Sequence, residues 1–263
     1  MKLFRKIMIN RITKILLSCF IYIAIVFAQV NTESMREEDT IKDFNNTLGL
    51  KFGFEKSKQE VMDIVVKYRI DYFSSEDLHT FLVLNYENGY KKKSSEKNTI
   101  MNKGFGHLRI TKNIYPDLFL ELFTQFGFND FLLLKDRKLY GSGIRYKVIG
   151  NDRLNAFVGI GAMKEEEKYS LETENFKALF RSTNYFTWQI YISENVTLNN
   201  TAYYQLETSN PKDHRLLYDG DFEFRLNDKL TFTFTLNYRY DNDPHGDLGN
   251  TYIQVNNGID FSF

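Results

Sequence analysis

The chain has 263 residues, equal numbers of acidic and basic side chains, and a mean hydropathy of −0.41. Nucleic-acid binding requires at least a basic patch, and nothing in this charge balance suggests one, so no nucleic-acid partner is expected. Aromatic residues make up 16% of the chain, nearly all of them Phe and Tyr, which is typical of strands and membrane interfaces rather than of a helical domain.

The N-terminus has the pattern of a secretory signal peptide. Five cations and no acid precede the apolar run "ILLSCFIYIAIVFA", which ends in Val26-Phe27-Ala28. We therefore predict cleavage after Ala28, with an anchoring helix that is retained as the alternative. Cleavage would remove Cys19, the only cysteine, and leave 29 cations against 34 acids, a net charge of −5.

The next segment, residues 29–47, is polar, acidic and without periodicity. This composition predicts a flexible periplasmic tail, since it offers too little apolar surface to form a core. A plug for a lumen or a partner-binding helix is the alternative.

From Leu48 to Phe263 apolar residues recur at almost every second position, which predicts strands. "LTFTFTLNYRYD" at 230–241 is the clearest example, because Leu, Phe and Tyr alternate with Thr, Asn, Arg and Asp. Twelve such segments follow one another, and all three prolines fall between them, where a missing N–H breaks no ladder.

The connectors alternate between short turns such as "GNDR" and longer charged loops such as "EEEKYSLETEN". Most of the segments are 10–14 residues long, and a tilted strand needs roughly 9–11 residues to cross a bilayer. The fold is therefore predicted to be all-β, a single antiparallel transmembrane barrel over 48–263, with short periplasmic turns and longer extracellular loops. A strand count of ten is the main alternative.

On each strand, the face opposite the apolar one carries many charged side chains. A water-filled lumen tolerates these charges, and a soluble core does not. Two places break the scheme, because polar or small residues share the apolar face: Asn102, Gly104 and Gly106 in one strand, and Ser182 and Asn184 in another. Either a β-bulge shifts the register there, or the strand faces a partner.

The densest set of lumen charges is predicted to form a cluster. It comprises Arg137, Arg145, Arg181, Asp219, Asp221, Glu223, Arg225 and Arg239. The cluster could line an ion-selective pore or close the lumen with ion pairs, and its nearly balanced signs favour ion pairs. The acidic run Glu165–Glu167 is interpreted as a solvated loop.

No catalytic, cofactor or metal site is predicted. His107 shares its face with no nearby Ser, so we interpret it as a polar lumen residue, and His214 and His245 have no partner pattern. The loop "DNDPHGD" at 241–247 could hold a cation, but its residues are also ordinary turn formers.

"NDFLLLKDRKLYGSGIRYKV", with Asp130, Arg137, Gly143 and Tyr146, resembles a known family, as does the C-terminal "YRYDNDPHGDLGNTYIQVNNGIDFSF". The family is domain of unknown function 481, which includes a salt-induced outer-membrane protein. The resemblance spans roughly 48–263 and implies an outer-membrane barrel with no established biochemical activity.

The expected location is the outer membrane of a Gram-negative-type cell. Ile259, Phe261 and Phe263 resemble the C-terminal signal that directs barrels to their assembly machinery. Expected partners are this machinery, periplasmic chaperones, membrane lipids and lipopolysaccharide. The expected role is non-enzymatic, in envelope integrity or stress adaptation; a small-solute channel and a lipid-modifying enzyme are the alternatives.

Overall fold

A computed structural model describes residues 43–56, 60–74, 78–93, 96–172, 175–244 and 249–263. The predicted signal peptide, most of the predicted tail, His245 and Asp247 lie outside these ranges. The first strand starts at Asp43, five residues before the predicted boundary at 48. Asn46 explains the earlier start, because its backbone exchanges hydrogen bonds of 3.3 and 3.0 Å with Phe263.

The described residues form twelve strands and one turn of 3₁₀ helix at Asp130–Leu132, as the sequence predicts for the strand count. The strands are β1 (Asp43–Lys56), β2 (Glu60–Ser74), β3 (Leu78–Lys93), β4 (Glu96–Tyr115), β5 (Leu118–Asn129), β6 (Leu134–Asn151), β7 (Leu154–Tyr169), β8 (Phe176–Ser193), β9 (Val196–Glu207), β10 (His214–Arg225), β11 (Leu230–Asp241) and β12 (Thr251–Ser262). Across the described ranges, no helix combines the length and apolar character needed to span a bilayer.

Each strand pairs antiparallel with the next, and β1 pairs with β12, so the sheet closes into a barrel. The predicted all-β antiparallel barrel is confirmed. The strands extend further towards the rim of the longer connectors than predicted, because β3 with β4 and β6 with β7 continue to pair their backbones. Residues 165–169 are consequently strand rather than loop.

The barrel has apolar side chains outside and charged side chains inside. Ile160 on the outer face is 65% exposed, whereas Arg181 on the inner face is 0% exposed. A soluble protein would show the opposite distribution, because exposing apolar area to water is unfavourable. Hydrocarbon around the wall and polar partners in the lumen account for both faces.

The two irregular places are resolved without a change of face. A bulge between β3 and β4 lies at Gly89/Tyr90, beyond Asn102, and leaves Asn102 opposite Asn88. Asn102 accepts a hydrogen bond from Tyr86 and donates one to Asp130. In β8, Asn184 donates to Ser182 and to the carbonyl of Tyr204. Local hydrogen bonds therefore satisfy these polar groups on the outer wall.

Candidate functional site

Seven charged side chains meet inside the barrel near the rim of the longer connectors. We name this group the arginine–carboxylate cluster; it consists of Arg137, Glu165, Glu167, Arg181, Asp213, Arg215 and Asp241. Its members come from β6, β7, β8, β10, β11 and the connector before β10. Alternation along each strand points the six strand residues inward, and the sheet then brings neighbouring rows together.

Glu165 is the centre of the cluster, with a side chain that is only 1% exposed. Its carboxylate accepts hydrogen bonds from Arg137 Nη2 at 2.5 Å and from Arg181 Nε at 2.8 Å. A third guanidinium, that of Arg215, donates through Nη1 at 2.9 Å. The carboxylate of Glu165 on β7 is thus hydrogen-bonded to arginines of β6, β8 and β10. These charge-assisted bonds link strands across the lumen.

The carboxylates of the cluster other than Glu165 balance the remaining positive charge of its arginines. Arg181 donates two hydrogen bonds to Asp213, at 2.7 and 3.0 Å, and Arg215 donates to Asp241 at 2.6 Å. Glu167 lies 3.3 Å from Arg137 and also accepts a hydrogen bond of 2.9 Å from the Tyr169 hydroxyl. Buried charges are tolerated when each is paired and hydrogen-bonded in this way.

Lys177 adjoins the cluster and brings the basic side chains of this region to four, against four buried carboxylates and the exposed Asp243. It lies 3.2 Å from Asp213 and 3.3 Å from Asp243 on the exposed side of the cluster. Because the signs are nearly balanced, the cluster does not present the ring of one charge that selects ions in a pore.

The predicted cluster is only partly the observed one. Arg137 and Arg181 belong to it, whereas Asp219 and Arg239 form a separate buried pair with a hydrogen bond of 2.9 Å. The other predicted members lie outside the arginine–carboxylate cluster. Arg145 stacks on Phe157, Asp221 accepts a hydrogen bond from Thr235, Glu223 is half-buried, and Arg225 is exposed at the end of β10.

The interpretation of Glu165–Glu167 as a solvated loop is wrong. β7 continues to Tyr169, so Glu165 and Glu167 point into the lumen and only Glu166 points outward. Sequence reasoning also left Arg215, Asp213 and Asp241 out of the cluster, although the alternation within 230–241 already places Asp241 on the inner face. Extending the alternation of β10 back from Asp219 by two steps, through Leu217, would have placed Arg215 inside.

A second, less polar layer fills the lumen below the cluster. The Tyr185 hydroxyl of β8 donates a hydrogen bond of 2.7 Å to Glu121 of β5, and Arg109 lies 3.4 Å from the same carboxylate. Tyr203 and Leu217 pack against Tyr185. The cavity left in this layer has a volume of about 30 Å³, which holds at most one or two water molecules.

A third region, along β1, β2, β10 and β12, is more open. Lys51, Lys67, Asp221 and Asp260 have inward parity, and all four are only half-buried. They lie close enough to interact electrostatically. The lumen is therefore filled on one side and polar and partly open on the other.

The remaining predicted residues have clear positions. Ile259 and Phe261 of β12 and the following Phe263 are exposed, and the rings of Phe261 and Phe263 stack at 5.8 Å. His107 is buried in the lumen. Within the described part of the chain, no three His, Cys, Asp or Glu side chains are grouped in a way that could hold a metal ion.

A closed antiparallel barrel with an apolar outer wall and a charged interior defines the chain as a β-barrel of the outer-membrane class. Residues 60–263 match the family model described as protein of unknown function, DUF481. The chain belongs to this family.

Similar solved structures are also membrane barrels. The translocator domain of the autotransporter NalP from Neisseria meningitidis matches with a TM-score of 0.50 and 9% identity, covering 86% of this chain and 90% of that one. The NanC porin gives a TM-score of 0.47 at 6% identity over 83% and 97% of the two chains. The KdgM porin gives 0.43 at 8% identity over 84% and 99%. The comparison with curated proteins gave no match.

The loop residue Asp213 makes the stability of the cluster depend on pH. Burial opposes ionisation of Asp213, but the hydrogen bonds from Arg181 outweigh it and lower the pKa of Asp213 below its ordinary value. A lowered pKa in the folded state stabilises the protein above the unfolded pKa of about 3.9. This contribution disappears as the pH falls through the folded pKa.

We therefore expect Asp213→Asn to lower the urea midpoint at pH 7, and the deficit to shrink below about pH 4. Urea unfolding in detergent at a series of pH values measures this difference. Asp243→Asn is the matched control, because Asp243 contacts the same Lys177 but is 60% exposed. A deficit for Asp213→Asn that persists unchanged at the lowest pH would contradict the assignment.

Proposed function

We propose that this outer-membrane barrel is a closed, non-enzymatic protein that contributes to envelope integrity or stress adaptation. The observation that carries the proposal is the arginine–carboxylate cluster centred on Glu165. A network of buried, mutually paired charges resists separation, because removing one partner leaves the others buried without compensation. The layer around Tyr185 and Glu121 supports the same conclusion, since its cavity of about 30 Å³ leaves room for at most one or two water molecules.

The proposal includes the route to the membrane. Residues 1–28 would act as a cleaved signal peptide, and Ile259, Phe261 and Phe263 would be recognised by the assembly machinery with the help of periplasmic chaperones. The exposed aromatic positions of β12 suit such recognition, because they remain accessible from outside the barrel. Membrane lipids and lipopolysaccharide would then surround the apolar wall.

A small-solute channel is the alternative function. The half-buried polar side chains Lys51, Lys67 and Asp221 favour it, because they leave a polar strip along one side of the lumen. The two functions differ in whether ions cross the barrel along its axis.

Planar-bilayer recording of the refolded protein tests the proposal. We expect a flat current trace, because the cluster and the layer beneath it block the axis. Insertion is checked separately by the altered gel mobility of the folded barrel. Reproducible conductance steps would overturn the closed barrel, and a change of step size after replacement of Arg137, Arg181 and Asp221 would then show that these residues line the path. Release of fatty acids from phospholipid by the purified protein would overturn the non-enzymatic part.

A further inference from the structure

The outer wall of the barrel carries an open groove that crosses β4. Gly104 and Gly106 have outward parity on this strand and form the floor of the groove, because they have no side chains to fill it. The groove has a volume of about 600 Å³, which lies within the range of roughly 300–1,000 Å³ for small-molecule sites. Glycine inside a strand often marks a place where a ligand or another backbone comes close.

Apolar and aromatic side chains of the neighbouring strands form the sides of the groove. Two rows of paired residues cross β2, β3, β4 and β5: Val66, Tyr86, Gly104 and Phe128 in one, and Tyr68, Leu84, Gly106 and Phe126 in the other. Leu84, Tyr86 and Phe126 are 46%, 44% and 46% exposed, so these side chains stand beside the groove rather than fill it. The groove continues to β6, which makes it roughly 19 Å long at about 4.8 Å between strands.

The end of the groove on β6 is polar. Lys135 and Asp136 line this end, and Lys138 lies 3.6 Å from Asp136. Asp130 follows β5 at the same rim, where it accepts a hydrogen bond of 2.6 Å from Asn102 of β4. Two lysines and two aspartates thus lie at the polar end, which carries charges of both signs and no net charge.

The surroundings of the groove restrict what can occupy it. The groove opens on the apolar wall that faces hydrocarbon, so it is continuous with the surface that lipid covers. A void would forfeit the dispersion contacts of the aromatic side chains that border it. A second copy of the chain fits poorly, because a two-fold axis brings the same surface of both copies together. Two concave grooves would then face each other, and neither would be filled.

One acyl chain of a lipid matches the groove in length and in chemistry. The hydrocarbon core of a bilayer is about 30 Å thick, so a chain of one leaflet extends about 15 Å. The groove has room for a chain of this length between its apolar end on β2 and its polar end on β6. A lipid headgroup attached to that chain would therefore reach the lysines and aspartates.

We infer that this groove is a binding site for one zwitterionic phospholipid. One acyl chain lies across Gly104 and Gly106, the phosphate binds Lys135, and the ammonium of the headgroup binds Asp136. Such a headgroup matches the polar end better than lipid A does, because Asp130 and Asp136 would repel the additional phosphate of lipid A. The inference goes beyond the proposed function, since it concerns the outer wall and not the lumen.

Photolabelling of the refolded protein in proteoliposomes tests the site. The vesicles contain phosphatidylethanolamine with a diazirine in one acyl chain, and mass spectrometry of the digested protein maps the label after irradiation. The outer face of β10 and β11 serves as the control wall. We expect several-fold more label on β4 and β5 than on the control wall. Equal labelling of both would overturn the site, because lipid that only surrounds the barrel labels the whole wall.

Filling the groove provides the second arm. A Cβ at Gly106 would meet Leu84 Cδ2 at 3.2 Å, which is the end of a flexible side chain, so Gly106→Leu can be accommodated. Ala202→Leu is the matched control, because Ala202 lies between the buried Thr201 and Tyr203 and so points outward from β9, away from the groove. Gly106→Leu should reduce the labelling of β4 and β5 to the level of the control wall, whereas Ala202→Leu should not change it. Labelling that Gly106→Leu leaves unchanged would overturn the site.

The headgroup is tested by substitution and by competition. Lys135→Glu should reduce the labelling of the groove several-fold, and Lys212→Glu, in the exposed connector before β10, should not. Unlabelled phosphatidylethanolamine should compete for the groove more strongly than lipid A does, and the reverse order would overturn the zwitterionic assignment. Loss of label together with protein dimers at high protein-to-lipid ratio would overturn the lipid assignment in favour of a second copy.

Gel mobility reports the folding of every variant in these experiments. The labelling measures only the outer wall, and the current recordings measure only the lumen. A failure of the lipid site is therefore distinct from a failure of the closed barrel.

Discussion

Replacing Glu165 by alanine is expected to lower the free energy of unfolding by about 3–5 kcal/mol, the range for removing one partner of a buried ion pair. The cost is large because Arg137, Arg181 and Arg215 all donate to this carboxylate. Their guanidinium groups would remain charged and buried, with fewer acceptors. Urea unfolding in detergent, followed by tryptophan fluorescence, measures the change.

Glu166→Ala is the matched control for this prediction. Glu166 is adjacent in sequence, but it points outward and pairs with the exposed Lys164, at 2.6 Å. Exposed pairs contribute little to stability, so its removal should change the unfolding midpoint far less. Equal effects of the two substitutions would show that the cluster around Glu165 does not hold the barrel together.

Ile160→Arg is expected to destabilise the barrel by about 2–4 kcal/mol, the cost of a basic side chain on the lipid face near the bilayer midplane. Ile160 lies on the outer face of β7, opposite Ile144 of β6, between the inward residues Gly159 and Gly161. Its side chain points away from the lumen and is 65% exposed on the outer wall. Unfolding of protein refolded into lipid vesicles measures the cost.

The depth of the residue provides the control for this second prediction. Phe176→Arg also places a cation on the outer face, but Phe176 is the first residue of β8, at the rim of the longer connectors. The cost should fall to about 0–1 kcal/mol there, because the charge reaches the interface. Similar costs at positions 160 and 176 would contradict the assignment of the apolar wall to lipid.

The strands could be predicted from the sequence because their signal is local. "LTFTFTLNYRYD" coincides with β11, Leu230–Asp241, and its Phe234 is exposed on the outer wall as the alternation predicts. Errors occurred at strand ends, at Asp43 and at Tyr169, where pairing with a neighbour rather than composition keeps the chain extended.

The site was harder to predict than the fold. Alternation correctly places Arg137 and Arg181 inside, but it does not say which rows meet across the lumen. Arg215 and Glu165 are 50 residues apart, and their contact depends on how far each pair of strands is staggered. Asp213 lies outside the strands altogether, so no periodic pattern marks it.

The topology also dictates an order of events during assembly. Eleven of the twelve strand pairings join consecutive strands, so each can form as a hairpin soon after its second strand arrives. Only the pairing of β1 with β12 brings together residues separated by more than 200 positions, as Thr47 and Ser262 are. Closure of the barrel must therefore wait until β12 is present. The backbone pairing that closes it, between Thr47–Leu50 and Ile259–Ser262, is only a few residues long. The last strand pairing to form in this barrel, that of β1 with β12, is thus also the one held by the fewest backbone hydrogen bonds.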